Sequence, residues 1–182
     1  MKYFDRIMLK NGKEFVIRNA DKNDGKEMLE VFIKTHKETN NLLTLPEEIT
    51  FTAEQEASYL EEKANSENEI EIVAVVDGKT VGSAGIEQAG KYIKTRHRAE
   101  FGISILKEYW GLGIGKALTR ACIDCAKSAG YEQLELEVVD DNESALNLYQ
   151  KMGFIEYGRK PRAFKHPKIG FQTLVLMRME LD

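Results

Sequence analysis

Strand-like and helix-like periods succeed one another along the chain. Two short strand-like runs in Tyr3–Ala20 flank Asn11-Gly12. That dipeptide accepts the positive φ of a tight turn, so a hairpin is predicted. From Asp21 to Thr39 the apolar spacing becomes helical, with Met28, Phe32 and Thr35 on one face and Leu29 and Ile33 beside them. Residues 40–50 read as a loop containing Pro46. Thr52, followed three residues later by Gln55, gives a capping-box start to an acidic surface helix over 52–66.

Strands return at Ile70–Val76 and Thr80–Gln88, separated by a second turn dipeptide, Asp77-Gly78, and again at His97–Leu106. A glycine-rich stretch, "YWGLGIGK" (Tyr109–Lys116), then opens a long helix through Ala129. Its apolar stripe is Leu118, Ala121, Cys122, Cys125, Ala126 and Ala129. These small side chains allow close packing on a sheet, and Gly130 ends the helix. A strand at Gln133–Val139, a short helix at Asn142–Met152 stopped by Gly153, and strands at Phe154–Gly158 and Thr173–Leu181 complete the order. The pattern predicts an α+β fold around one mixed sheet, organised as a single domain over 1–182.

Composition narrows the class. The 182 residues suffice for a sizeable core, and the net charge of -4 argues weakly against a nucleic-acid-binding surface while leaving room for a local basic site. No apolar run reaches the roughly 18 residues of a membrane span. Asp5 and Arg6 interrupt the N-terminus where a signal peptide would be apolar. With only two cysteines, the chain reads as cytoplasmic and reduced. Cys122 and Cys125 sit mid-helix without two further ligands nearby, which fits core packing better than zinc or redox chemistry.

The glycine stretch is the chemical signal. Glycines between a strand and a helix let backbone N–H groups and the positive helix end meet an anion. A Walker loop needs a first glycine where Trp110 stands and a Ser or Thr where Ala117 stands. A dinucleotide fingerprint fails because its third glycine falls on Lys116 or Leu118.

The stretches "AEFGISILKEYWGLGIGKAL" and "LELEVVDDNESALNLYQKMGF" resemble the core of the GNAT (GCN5-related N-acetyltransferase) family. The likeness is strong over about a third of the chain. It implies a GNAT-like mixed, mostly antiparallel, twisted sheet with flanking helices and a splay between two central strands. It also implies acetyl-CoA as cosubstrate without a metal, its pyrophosphate on Gly111, Leu112, Gly113, Ile114, Gly115 and Lys116. Trp110 departs from the usual Gln or Arg of the loop, at little cost where the backbone does the binding. Lys116 is either a phosphate contact or a solvated lysine. By position, the backbone of Ile103 and Ile105 faces the pantetheine, which behaves as an added strand.

Making an amide from an amine and a thioester requires removing the ammonium proton, stabilising an oxyanion and protonating a thiolate. Asn142, Ala145, Tyr149, Gly153 and Phe154 match a family pattern in which the tyrosine is the acid. A phenol is protonated at neutral pH, although Tyr149 also lies on the apolar face of its helix. Asn142 reads as an N-cap and, by the resemblance, as a pantetheine contact. Two strand carboxylates compete for the base. Glu137 resembles the glutamate of ribosomal-protein N-terminal acetyltransferases, and Glu100 lies where other members place one. Glu135 shares a strand face with Glu137, and His97 is a weaker candidate. The oxyanion falls to a backbone N–H near Ile103.

The acceptor side is expected to lie between residues 35–51 and 157–172. The first stretch carries Glu38, Glu47 and Glu48, followed by Glu54 and Glu56. The second carries Arg159, Lys160, Arg162, Lys165 and Lys168. An acidic lining suits a cationic small-molecule amine, such as a polyamine, an aminoglycoside or an amino-acid-like acceptor. A protein N-terminal α-amine and a non-catalytic acyl-CoA-binding domain are the alternatives. Analogy with the family suggests a homodimer, and neither nucleic acid nor membrane is an expected partner.

Overall fold

In the computed structural model, which describes residues 1–9 and 11–181, every element expected from the sequence is present. The chain runs β1 (Phe4–Met8), β2 (Glu14–Asn19), α1 (Gly25–Glu38), α2 (Ala53–Asn65), β3 (Ile70–Val76), β4 (Lys79–Gln88) and β5 (Arg98–Ile105). It continues through α3 (Ile114–Ser128), β6 (Gln133–Val139), α4 (Glu143–Met152), β7 (Ile155–His166) and β8 (Gly170–Glu180). The strands form one sheet in the order β1-β2-β3-β4-β5-β6-β8-β7. Every neighbouring pair is antiparallel except β5 and β6.

Local chemistry accounts for the boundaries. The β3–β4 turn holds Asp77 and Gly78 at φ 49° and 76°, the left-handed conformations such a turn requires. Thr52 Oγ1 accepts from the Gln55 N–H while Gln55 Oε1 accepts from the Thr52 N–H, closing the expected capping box. Gly153 at φ 103° ends α4.

Helices cover both faces of the sheet. On one face Leu118, Ala121, Cys122, Cys125 and Ala126 of α3 are buried against Ile72, Ile86 and Leu134. Fully buried Leu118 makes truncation to alanine cost about 2–5 kcal/mol through the cavity left behind. Burial raises the thiol pKa of Cys125 to about 11 and lifts that of Cys122 well above its usual range, so neither supplies thiolate at neutral pH. On the other face Met28 and Leu60, from α1 and α2, pack on Val73.

The β5–β6 pairing is short. It joins Arg98, Ala99 and Glu100 to Gln133, Leu134 and Glu135, then stops. Beyond it, β5 stays with β4 as far as Ile105, and β6 stays with β8 as far as Val139. The two central strands therefore splay apart from Phe101 onward.

The end of the chain departs from the sequence reading. The strand expected over Phe154–Gly158 continues to His166, and β8 begins at Gly170 rather than Thr173. The basic segment, to which the sequence pattern assigns no regular element beyond Gly158, is thus part of a long hairpin. Its register shifts at Glu156/Gly158 and at Lys160/Phe164. The second of these accommodates Pro161, which an edge strand tolerates because its outward N–H groups need no partner.

Candidate active site

The unpaired half of β5 presents free main-chain groups. At its two ends the Ala89 N–H donates to Arg98 O and the Leu106 N–H to Val81 O. Antiparallel alternation then turns the even-numbered residues toward β4 and the odd-numbered ones toward β6. The backbones of Ile103 and Ile105 face the splay, as expected from their position. The Ile105 carbonyl accepts the indole N–H of Trp110 at 2.7 Å.

Trp110 leads into the glycine loop. Gly111 and Gly113 have φ of 75° and 101°, and a β-carbon on either would meet nothing within 4 Å. Both glycines are required by backbone conformation and border open space. Gly115 differs: its φ is ordinary, and a β-carbon there would touch Leu148 Cδ2 at 3.4 Å and Ile105 Cδ1 at 3.5 Å. These are ordinary van der Waals distances, so neither space nor backbone conformation demands a glycine there. Gly113 is the N-cap of α3, and the first intrahelical bond runs from the Ala117 N–H to Gly113 O. The N–H groups of Ile114, Gly115 and Lys116 are left as orphan donors at the positive end of the helix. Ile114 is buried, Leu112 half-buried and Lys116 exposed. This cradle fits a diphosphate.

α4 flanks the splay. Asn142 Oδ1 accepts from the Ala145 N–H at 3.3 Å, the expected cap. Tyr149 is buried, edge-on to Phe101 at 6.1 Å and to Phe154 at 5.8 Å between ring centroids. Burial pushes its phenol pKa up, so the hydroxyl keeps its proton at neutral pH.

Across the sheet, under α1 and α2, lies a cleft of about 720 Å³. Met28, Phe32, His36, Phe51 and Tyr59 roof it, and Ser83, Gly85, Gly102 and Ser104 floor it. The carboxylates of Glu56, Glu71, Glu87 and Glu100 open into it. Glu100 is exposed, like Glu137, yet its pKa is raised because partial desolvation on the cleft floor disfavours its charge and Glu135 and Glu137 add repulsion. Glu71 is pushed up to about 7, mainly by desolvation, against the opposing hydrogen bond of Ser83. Glu87 is partnered, accepting from the Tyr59 hydroxyl at 2.8 Å and lying 3.0 Å from Lys63 Nζ. A second cleft of about 650 Å³ continues from His36 and Leu42–Thr44 between residues 45–48 and the β7–β8 hairpin.

The remaining candidates are placed less favourably. Glu137 is exposed and ion-paired to Lys160. Glu135 is clamped by two bonds from Arg98, the Nη2 contact being 2.6 Å. His97 precedes β5 at the paired end of the splay, and its carbonyl accepts from the Glu132 and Gln133 N–H groups. Among the expected acceptor-side acids, Glu38 accepts the Lys107 N–H at 2.7 Å and Glu48 the Leu45 N–H at 2.7 Å. Of that set only Glu56 reaches the main cleft, while Glu47 and Glu48 border the second one.

A sequence model of the Acetyltransferase (GNAT) family matches residues 36–154. The chain belongs to this family. An N-alpha-acetyltransferase of Sulfurisphaera tokodaii is 31% identical over 163 residues, covering 81% of this chain and 84% of that protein. N-alpha-acetyltransferase 30 of Schizosaccharomyces pombe is 36% identical over 73 residues, and there the match spans 40% of this chain and only 49% of the relative. The crystal structure of a GNAT-family acetyltransferase from Streptococcus pneumoniae superposes with a TM-score of 0.87 at 30% identity, covering 91% of this chain and 99% of that one.

In this GNAT chain Glu71, Glu87, Tyr59, Phe32 and Phe51 line the cleft without any motif that marks them in the sequence. The signal available was a glutamate inside the otherwise apolar run "IEIVAVV", an unusual place for a charge. No local spacing announces that Glu71 and Glu100 share one face, because β4 lies between them. Among the described residues, no group of three or more His, Cys, Asp or Glu is placed to hold a metal, and no helix is long and apolar enough to cross a membrane.

Proposed function

We propose that this acetyltransferase moves the acetyl group of acetyl-CoA to the primary amine of a small cationic acceptor, by direct attack within a ternary complex. The observation that carries the reading is the splay. One side of it meets the glycine cradle, and the other opens onto a carboxylate-lined cleft at Gly102. Bound acetyl-CoA supplies an activated acyl group on sulfur.

The chain's own residues do the rest. The N–H groups of residues 111–116 hold the diphosphate, and Lys116 lies exposed beside them. Ile103 and the Ile105 N–H pair with the pantetheine amides, with Asn142 at the far side. Glu100 accepts the ammonium proton, directly or through water, and its raised pKa brings its basicity closer to that task. A backbone N–H near Ile103 stabilises the carbonyl oxygen as nitrogen attacks carbon. As the C–S bond breaks, Tyr149 gives its proton to sulfur. Glu137 is set aside as base because Lys160 already compensates its charge.

A protein N-terminal α-amine is the second reading. It is favoured by the names of the relatives and by the second cleft, which lengthens the groove. A panel of diamines, aminoglycosides, amino acids and peptide N-termini, scored by release of CoA thiol, separates the two. Turnover of small cationic amines supports the first reading, and turnover confined to peptides replaces it with the second.

A further inference from the structure

The cleft floor has a direction. Register aligns Glu71 with Gly85 and Gly85 with Gly102 in one row across β3, β4 and β5, ending at the splay. On one side the next row carries Glu87 and Glu100, and on the other Ser83 and Ser104. The central row has no side chain between Glu71 and the splay, so it forms a trough. A β-carbon at Gly102 would meet nothing within 4 Å, whereas one at Gly85 would come 2.1 Å from Glu71 Oε2. The Glu71 carboxylate therefore lies folded onto the trough floor at its β4 end.

Its neighbours are already served. Glu87 has Lys63 and Tyr59, Glu135 has Arg98, and Glu137 has Lys160. Glu71 has no ion pair among the described residues, and desolvation disfavours its charge. A carboxylate taken from water without a cation is costly unless a ligand supplies one. The trough roof, Phe32 and Phe51 with ring centroids 5.7 Å apart, offers apolar cover to a methylene chain.

We infer that Glu71 reads a second cationic group on the acceptor, about 5–10 Å from the amine that is acetylated, one to two strand spacings. This rests on the acetyl-transfer reading and makes Glu71 a specificity-determining residue. The acceptor class is a slim molecule with two cationic nitrogens separated by about four to six methylenes. The acetylated amine lies at Glu100 over Gly102, and the second ammonium lies against the Glu71 carboxylate, which itself covers Gly85.

The test compares diaminobutane and diaminohexane with butylamine and hexylamine, in the full chain and in Glu71→Gln. Kinetics of thiol release are paired with calorimetry of diaminohexane binding to the CoA-loaded protein. The expected result is a diamine-to-monoamine kcat/KM ratio of about tenfold or more in the wild type, falling toward one in the variant. Diaminohexane affinity should fall about tenfold in parallel. A wild type without diamine preference, or a variant that loses both acceptor types equally, overturns the assignment. If no amine releases thiol, the acetyl-transfer reading fails separately. Calorimetry then decides the role of Glu71: binding weakened by Glu71→Gln supports it, and unchanged or absent binding overturns it.

Discussion

The indole N–H of Trp110 donates to the carbonyl of Ile105 at 2.7 Å, tying the glycine loop to the last residue of the splayed strand. Trp110, which replaces the Gln or Arg common in related loops, thus fixes the loop through its own ring N–H. Trp110→Ala should raise the KM for acetyl-CoA about three- to tenfold, the worth of one net hydrogen bond, with a smaller effect on kcat. Steady-state kinetics at saturating amine check this. An unchanged KM shows that the loop holds its shape without the indole.

Gly113→Val addresses the cradle itself. A valine at φ 101° is strained by about 1–2 kcal/mol, and its side chain enters the space assigned to the diphosphate. Acetyl-CoA affinity measured by calorimetry should fall by about a hundredfold or more, beyond the roughly five- to thirtyfold to which 1–2 kcal/mol of strain corresponds. Retained affinity removes residues 111–116 from the binding role.

Much of the fold is legible in the sequence because its signals are local. Asp77-Gly78, the Thr52–Gln55 box, the small-residue stripe of α3 and the Asn142 cap each need only a few neighbouring residues. The full length of β7 is not legible, since Pro161 and a run of charges imitate a loop, and only pairing with β8 shows the strand. The candidate site divides in the same way. Its proposed CoA side comes from two short runs of chain, residues 103–116 and 142–149, each with a pattern of its own. The acceptor side is assembled from α1, α2 and three strands. The trough from Glu71 across Gly85 to Gly102 exists only through register, and the pairing of Glu137 with Lys160 likewise joins residues far apart in the chain.

The base assignment has a pH signature. Glu100 faces Glu135, Glu137 and Glu87, which add to the desolvation that raises its pKa, and Arg98, which opposes it. It must be ionised to accept a proton, so kcat/KM should fall as pH drops through a limb above the ordinary carboxylate range. Glu100→Gln should remove that limb and lower kcat/KM on the order of a hundredfold. A limb that survives the substitution transfers the role to another group.

Glu71 should oppose stability. Its pKa of about 7 in the fold lies above the ordinary glutamate value of 4.5, so ionising it disfavours the native state. Below the lower value both states are protonated and the effect vanishes. Above the higher value the full cost applies, on the order of 3 kcal/mol. Glu56 and Glu87 deepen the cost, while Lys63 and the Ser83 hydroxyl reduce it. Glu71→Gln should therefore raise Tm at pH 8 and leave it nearly unchanged at pH 4, by calorimetry in both buffers. An equal shift at the two pH values contradicts the burial argument.

The most direct test is single-turnover release of CoA thiol from saturating acetyl-CoA, with and without a diamine, in the wild type and in Tyr149→Phe. The account predicts release that requires the amine and is slowed about a hundredfold in the variant. Acetyl-CoA affinity should be unchanged, because the ring still packs on Phe101 and Phe154. Tight acetyl-CoA binding with no amine-dependent release in the wild type, for diamines and peptide N-termini alike, would contradict it.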